Sequence, residues 1–202
     1  MMGATILLLP QHTTYGRLLE GARRLLDKYA QGIKPHLIAT GATMRALALQ
    51  FGGDPDTWEI AGMLHDLDWD QLNKDYEKHC GEPLETMLAE ISAPPELLAD
   101  IRSHYQSKYG TQYPLDSLLR CALYTCEELT GFIIAVALVR PSRKLFDLEV
   151  SSVKKKLKDK AFAAQVDREQ IKKCEEILGL PLDELIKVTI HAMKGVSGDI
   201  GL

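Results

Sequence analysis

The stretch AGMLHDLDWD, residues 61–70, carries one histidine and three aspartates directly after a run of apolar and small residues. These four residues are His65, Asp66, Asp68 and Asp70. Imidazole nitrogens and carboxylate oxygens are frequent ligands of divalent metal ions, so the stretch is a candidate cation site. A solvated helix end has the same composition, and the stretch alone does not separate the two interpretations.

Further residues of metal-ligand type occur on segments that are otherwise apolar. His36 lies in the first turn of a predicted helix, and His104 shares a helical face with apolar neighbours. Glu127 interrupts a long apolar helix. A buried imidazole or carboxylate must be hydrogen-bonded, paired or coordinated to offset its lost hydration. One such residue is usually a satisfied core group, but several helices that each present one are typical of metal sites in helical bundles.

Helical periodicity dominates the sequence and strand patterning is nearly absent, which predicts an all-α fold. The predicted helices cover about residues 13–30, 35–51, 56–67, 82–92, 95–107 and 116–139, and two more follow near the C-terminus. The sequence has no internal repeat and no long linker. We therefore expect a helical core over residues 1–140 and a smaller helical extension, residues 141–202, packed on it.

The order of these residues resembles the H…HD…D signature of the HD-domain superfamily of metal-dependent phosphohydrolases. His36, the pair His65 and Asp66, and Glu127 occupy the matching places. The segment WEIAGMLHDLDWD also looks like the motif helix of the small stand-alone members of that superfamily. The resemblance covers about residues 20–140 and implies an HD-domain helical bundle.

The resemblance also implies a centre of two metal ions that are bridged by Asp66. The remaining ligands would be His36, His65 and Glu127 on one ion, and His79 and His104 on the other. The family usually has aspartate at the place of Glu127. Glu128 is the rival ligand, but it lies about 100° round the helix and we expect it to face away. His79 follows His65 closely in the sequence. The alternative to a metal ligand at this position is an exposed histidine in a loop.

A mixed set of imidazole and carboxylate ligands suits one or two divalent transition-metal ions such as Fe, Mn, Zn, Co or Ni. The resemblance implies a hydrolase in which a metal-held hydroxide cleaves a phosphoester or phosphoanhydride of a small, nucleotide-like substrate. Two other functions stay open. One is an HD-fold module that senses a ligand without turnover, and the other is a di-iron oxidoreductase on the same scaffold.

Two aspartates next to the HD pair have alternative roles. Asp68 is a candidate catalytic residue beside Asp66, because it could orient a ligand histidine or a metal-bound water. Alternatively, Asp68 and Asp70 both cap the following turn.

The basic residues near the candidate ligands are possible phosphate contacts. Arg102 and Lys108 are the favoured ones, ahead of Arg45 and Lys74. The lysine-rich segment 154–160 is either a solvated helix face or a set of cations that the extension offers to the substrate phosphate.

Composition limits the other classes of function. The net charge of −4 gives no support to a nucleic-acid partner, and a homodimer is left open. The apolar run at 131–139 is too short to cross a bilayer, and the N-terminus lacks the features of a signal peptide. The four cysteines form no CxxC pair, so we expect reduced thiols in a cytoplasmic protein. His12 and His191 are interpreted as surface residues.

Overall fold

The computed structural model describes residues 14–72 and 75–202, and over these residues it contains helices and no strand. The predicted all-α fold is thus confirmed. The α-helices are α1 (Thr14–Tyr29), α2 (Lys34–Phe51), α3 (Pro55–Leu64), α4 (Glu82–Ala89), α5 (Pro95–Arg102), α6 (Gln106–Tyr109), α7 (Leu118–Leu138), α8 (Val150–Leu157), α9 (Arg168–Lys172), α10 (Cys174–Ile177) and α11 (Leu182–Gly195). Two short 3-10 turns, Trp69–Gln71 and Tyr76–Lys78, lie between α3 and α4. His12 and Lys74 lie outside the described residues.

Helices α2 and α3 pack closely on each other, because two glycines meet where they cross. A Cβ atom on Gly62 would lie only 2.9 Å from Cα of Gly41. A Cβ atom on Gly41 would lie 2.5 Å from Cγ of Met63. The lack of a side chain at Gly41 and Gly62 therefore allows the backbone of α2 to touch that of α3. This contact brings the start of α2, with His36, next to the end of α3, with His65.

Helix α7 is the long apolar helix at the centre of the core. Ser117 caps its N-terminus by accepting a hydrogen bond from the backbone N–H of Arg120 at 3.3 Å. By length and composition alone, the 21 residues of α7 are enough to cross a membrane. The run at 131–139 that the sequence analysis considered is only a part of this helix. However, 67% of its most apolar 18-residue stretch is buried inside the protein, as expected for a core helix.

The C-terminal extension packs on the same hydrophobic core. Helix α9 contacts α7, and α11 contacts both α2 and α7. Val153, Ile171 and Leu185 from the extension are fully buried in one cluster with Phe132 and Leu47. The extension thereby covers one end of the cleft between the core helices.

Helices α3, α4 and α5 end at least three residues earlier than the sequence predicts, α4 at Ala89 instead of about residue 92. Helix α3 ends at Leu64 and α5 ends at Arg102, whereas the predicted helices run to about residues 67 and 107. In both cases a histidine side chain, that of His65 or His104, binds a carbonyl of the last turn, which would otherwise lack a partner at the helix end.

Candidate metal centre

His65 and His104 are held in the same way at the ends of two different helices. Nδ1 of His65 donates to the carbonyl of Gly62 at 2.8 Å, and Nδ1 of His104 donates to the carbonyl of Ile101 at 2.6 Å. A carbonyl can only accept, so in both rings Nδ1 carries the proton and Nε2 of a neutral ring has a free lone pair. Both rings are buried.

His79 is fixed by a carboxylate rather than by a carbonyl. Its Nδ1 lies 2.9 Å from Oδ1 of Asp68, and the other oxygen of Asp68 accepts the backbone N–H of Cys80 at 2.8 Å. Asp68 is completely buried, and His79 is only 3% exposed. The surface-loop alternative for His79 is therefore wrong. The capping alternative for Asp68 is also wrong, because its side chain makes no cap hydrogen bond to the turn that follows it.

His36 is oriented by a hydroxyl of α7. Its Nδ1 lies 3.3 Å from Oγ1 of Thr130, and that hydroxyl donates to the carbonyl of Glu127 at 2.8 Å. Since the hydroxyl proton is used in this way, Thr130 accepts the Nδ1–H of His36. Thr40 adds a further hydroxyl contact to Thr130 at 2.8 Å.

The Nε2 atoms of three histidines lie within 3.6 Å of the carboxylate of Asp66, and that of His36 lies next to one of them. Nε2 of His36 lies 3.1 Å from Nε2 of His65, and Nε2 of His79 lies 3.3 Å from Nε2 of His104. Oδ2 of Asp66 lies 3.6 Å from His65, whereas Oδ1 lies 3.1 Å from His79 and 3.3 Å from His104. Oδ2 of Asp66 thus faces His65 and Oδ1 faces His79 and His104, so this carboxylate could bridge two ions.

Two groups of side chains have the composition and spacing to hold a metal ion. The first contains His36, His65 and Glu127, and the second contains His79, Cys80 and His104. Within each group the donor atoms lie within 4.8 Å of one another. Every histidine donates its other ring nitrogen to a protein oxygen, which is the arrangement usual for metal-bound histidines. The residues therefore fit divalent ions.

The ionisation of the site also suits a cation. Burial lowers the pKa of His36, and it lowers the pKa of His65 to about 3, so both rings are neutral as coordination requires. Burial opposes ionisation of Asp66, but the electrostatic interaction with His65 and the hydrogen bonds with His104 and His79 outweigh it and hold the pKa of Asp66 well below its usual range. Burial raises the pKa of Glu127 well above its usual range, with Glu128 and Asp66 adding repulsion.

The second pair has a different electrostatic balance. Burial lowers the pKa of His79, but the hydrogen bonds with Asp66 and Asp68 outweigh burial and raise it. Burial raises the pKa of the Cys80 thiol to about 11. Cys80 has a φ of 57°, in the left-handed region that a cysteine rarely adopts, and its side chain has no exposed surface.

A cavity of about 610 Å³ opens over the centre. Its wall contains four aromatic residues, Trp69, Tyr76, Tyr105 and Tyr124. Trp69 packs edge-on against the ring of His79, with centroids 5.1 Å apart. The far end is formed by the C-terminal extension and is lined by Gln165, Val166, Asp167 and Gln170.

The structure places some of the predicted site residues elsewhere. Nε of Arg102 donates to the carbonyl of Cys80 at 2.9 Å, and its guanidinium pairs with Glu85. Lys108 donates to the carbonyls of Glu77 and His79. Neither cation lines the cavity. Both hold the backbone around the second histidine pair. The structure therefore gives no support to their predicted contact with a substrate phosphate.

The other basic candidates are also engaged away from the cavity. Arg45 forms ion pairs with Asp56 and Glu59. In the lysine-rich segment, Lys154 pairs with Asp183, and Lys156 lies over the ring of Phe162. The extension does fold over the cleft, but it presents amides and a carboxylate there rather than these lysines.

The two glutamates of α7 differ from expectation. Glu127 belongs to the first candidate metal group, and its Oε1 accepts a hydrogen bond from Gln170 of α9. Glu128 was expected to face away, yet it also lines the cavity. The reason is that the extension continues the wall past α7, so two adjacent positions of the helix face the cleft. Burial raises the pKa of Glu128 to about 7.

Sequence reasoning missed several residues of the site. Thr130 and Thr40 orient His36, and Gln170 holds Glu127. The threonines could have been found by helical spacing, since Thr130 follows Glu127 by three positions and Thr40 follows His36 by four. Gln170 gave no such signal. Asp70 was considered a cap, and it does accept backbone N–H groups at the start of another helix, from Gly32 at 2.6 Å and Ile33 at 3.3 Å.

Comparison of the chain with models of protein families, with curated proteins and with solved structures finds no match. The HD-domain relationship therefore stays a prediction from the ordered ligand residues.

Proposed function

We propose that the chain is a metal-dependent phosphohydrolase of the HD type, which cleaves a phosphoester or phosphoanhydride of a small substrate. One observation carries the proposal: four imidazole Nε2 atoms lie together, three of them within 3.6 Å of Asp66, while all four Nδ1 atoms are hydrogen-bonded to protein oxygens. An imidazole whose Nδ1 carries the proton has one lone pair, on Nε2, so in the neutral state all four rings would offer their lone pairs to a cation at one centre.

Divalent ions bound here would polarise a phosphate group and activate a water molecule for attack on phosphorus. The residues of the chain prepare that chemistry. Asp66 keeps the two histidine pairs at a fixed separation, and Asp68 fixes the ring of His79. Trp69 and Tyr105 pack against His79 and exclude water from it.

The charge of the cavity supports a metal-dependent mechanism. Four carboxylates line it, from Asp66, Glu127, Glu128 and Asp167. An anionic phosphate would be repelled by those that are ionised, whereas bound cations would reverse the local potential. The aromatic wall offers flat apolar surface on which a nucleobase could stack. A nucleotide-like substrate is proposed on this ground and on the resemblance to HD-domain proteins.

The test combines metal analysis with enzymology. We expect the purified protein to contain one or two transition-metal ions per chain and to hydrolyse at least one member of a panel of phosphomonoesters, phosphodiesters and nucleotides. Asp66→Ala should abolish both properties, whereas His65→Ala should abolish hydrolysis and lower the metal content, because His65 belongs only to the first metal group. His191→Ala, which changes an exposed histidine on α11, should keep them.

Other results would point to the alternative functions. Bound metal without any turnover favours a ligand-sensing module. Bound iron with an oxygen-dependent activity favours an oxidoreductase. A protein without bound metal, or a phosphatase rate that survives both substitutions, would refute the proposal.

A further inference from the structure

We infer that Cys80 is a thiolate ligand of the second ion, in a four-donor site with His79, His104 and Asp66. The inference depends on the metal centre of the proposed function, but it goes beyond that function. It assigns a ligand that neither the HD signature nor a histidine–carboxylate set includes. It also makes the two metal positions chemically different.

The distances among the donor atoms match those of a small tetrahedral site. Zinc–nitrogen bonds of about 2.0–2.1 Å and zinc–sulfur bonds of about 2.3 Å, at tetrahedral angles, separate two nitrogens by about 3.3 Å and a nitrogen from a sulfur by about 3.5 Å. Nε2 of His79 lies 3.3 Å from Nε2 of His104 and 3.4 Å from Sγ of Cys80.

Asp66 completes the tetrahedron. Its Oδ1 lies 3.1 Å from Nε2 of His79 and 3.3 Å from Nε2 of His104. These separations agree with a metal–oxygen bond of about 2.0–2.2 Å. Four measured edges of the donor polyhedron therefore have the lengths that one ion requires, and three different kinds of donor atom share them.

Cys80 is held in this position by its backbone. Asp68 accepts its N–H, and Arg102 donates to its carbonyl. Sγ lies among the centre's own groups, 3.8 Å from the carbonyl of His65. The other three cysteines of the chain are also buried, but none of them belongs to either candidate metal group found among the described residues. They serve as internal controls for a thiol that only packs in the core.

The consequence is a difference in metal preference. The first group offers only nitrogen and oxygen donors, from His36, His65, Asp66 and Glu127, and suits manganese or iron. The second adds a sulfur, which favours softer ions such as zinc or cobalt. Four protein ligands also leave a tetrahedral ion no open position, so water and substrate would bind at the first ion.

Cobalt reports thiolate coordination directly, because cobalt bound to sulfur has an intense charge-transfer absorption in the near ultraviolet. The experiment is a titration of metal-free protein with Co²⁺. We expect this band in the wild type and in Cys174→Ser, and its loss in Cys80→Ser. In Cys80→Ser the affinity of the second site for cobalt should fall at least about 10- to 100-fold, because the loss of a ligand's hydrogen-bond partner alone has an effect of that size.

The outcomes separate this inference from the proposed function. If the wild type binds cobalt without the band, Cys80 is not a ligand, and the metal centre stands without it. If the protein binds no cobalt or other transition metal, the metal centre itself is refuted. Because Cys80→Ser could fail to fold, ¹¹³Cd resonance spectra of the wild type provide a second measurement. Two well-separated cadmium signals support a sulfur ligand on one ion, and two signals typical of nitrogen and oxygen ligands overturn it.

Discussion

Asp68 binds His79 and the neighbouring backbone at once. Its Oδ1 accepts the Nδ1–H of His79 at 2.9 Å, and its Oδ2 accepts the backbone N–H of Cys80 at 2.8 Å. Both oxygens of a completely buried carboxylate are thus used to position one short segment. Asp68 does not line the cavity, so it is a positioning residue rather than a catalytic one.

Replacing Asp68 by asparagine tests this role. The asparagine oxygen can still accept from His79, but its amide would face the N–H of Cys80 with a second donor. We expect the affinity for the second ion to fall about 10- to 100-fold, as measured by calorimetric titration. Asp75→Asn, in the same segment but exposed, is the matched control and should bind metal normally. Equal affinity in the two variants would contradict the role.

The two histidine pairs should lose their ions separately. His36→Ala removes a donor from the first group, and His104→Ala removes one from the second. Because Asp66 faces both pairs, each variant should still bind one ion at the remaining group. Elemental analysis after dialysis measures the stoichiometry. Loss of both ions in both variants would show that the centre forms only as a whole.

Glu127 and Glu128 both line the cavity, but we expect only Glu127 to bind metal. Glu127→Gln should weaken binding of the first ion by at least about tenfold, because a charged oxygen donor is replaced by a neutral one. Glu128→Gln should retain full metal content. Titration of both proteins with Mn²⁺ decides the assignment, and the reverse result would make Glu128 the ligand.

Removal of metal should lower the thermal stability of the protein. The donors of the centre come together only in the folded chain, so a bound ion stabilises that state by about 2.7 kcal/mol at a free concentration 100 times the dissociation constant. We expect a chelator to lower Tm and added metal to restore it. Asp66→Asn should show no such dependence, whereas His191→Ala should behave as the wild type does.

The glycine contact between α2 and α3 should be needed for stability. In Gly62→Ala the new Cβ would lie 2.9 Å from Cα of Gly41 and from the backbone carbon of Thr40, so the helices must move apart. Overpacking of this kind costs about 1–3 kcal/mol. Gly195→Ala is the control, because Gly195 is an exposed position of α11 where a Cβ would meet nothing within 4 Å, so the change should be neutral or slightly stabilising. Urea unfolding measures both.

Helix positions could be predicted from local sequence, because apolar periodicity, proline at the first turn and glycine after the last turn act over a few residues. Helix α2 illustrates this, with Pro35 at its start and Gly52 in the left-handed conformation at its end. The ends of α3 and α5 were harder to predict. These ends depend on His65 and His104, whose rings bind carbonyls of their own helices. The sequence analysis predicted these two histidines only as metal ligands.

The sequence by itself determined that the protein is all α-helical and which residues are of metal-ligand type. Only the tertiary structure decided how these residues pair. His36 and His65 are 29 positions apart, and they meet at 3.1 Å because Gly41 and Gly62 let two helices touch.

Cys80 and Glu128 were placed by the tertiary structure for the same kind of reason. Cys80 faces the second histidine pair because Asp68 and an unusual backbone conformation hold it there. Glu128 faces the cavity because a segment some 40 residues later in the chain forms the opposite wall. Such contacts join residues distant in sequence, and local patterns of polarity carry no information about which distant segments will meet.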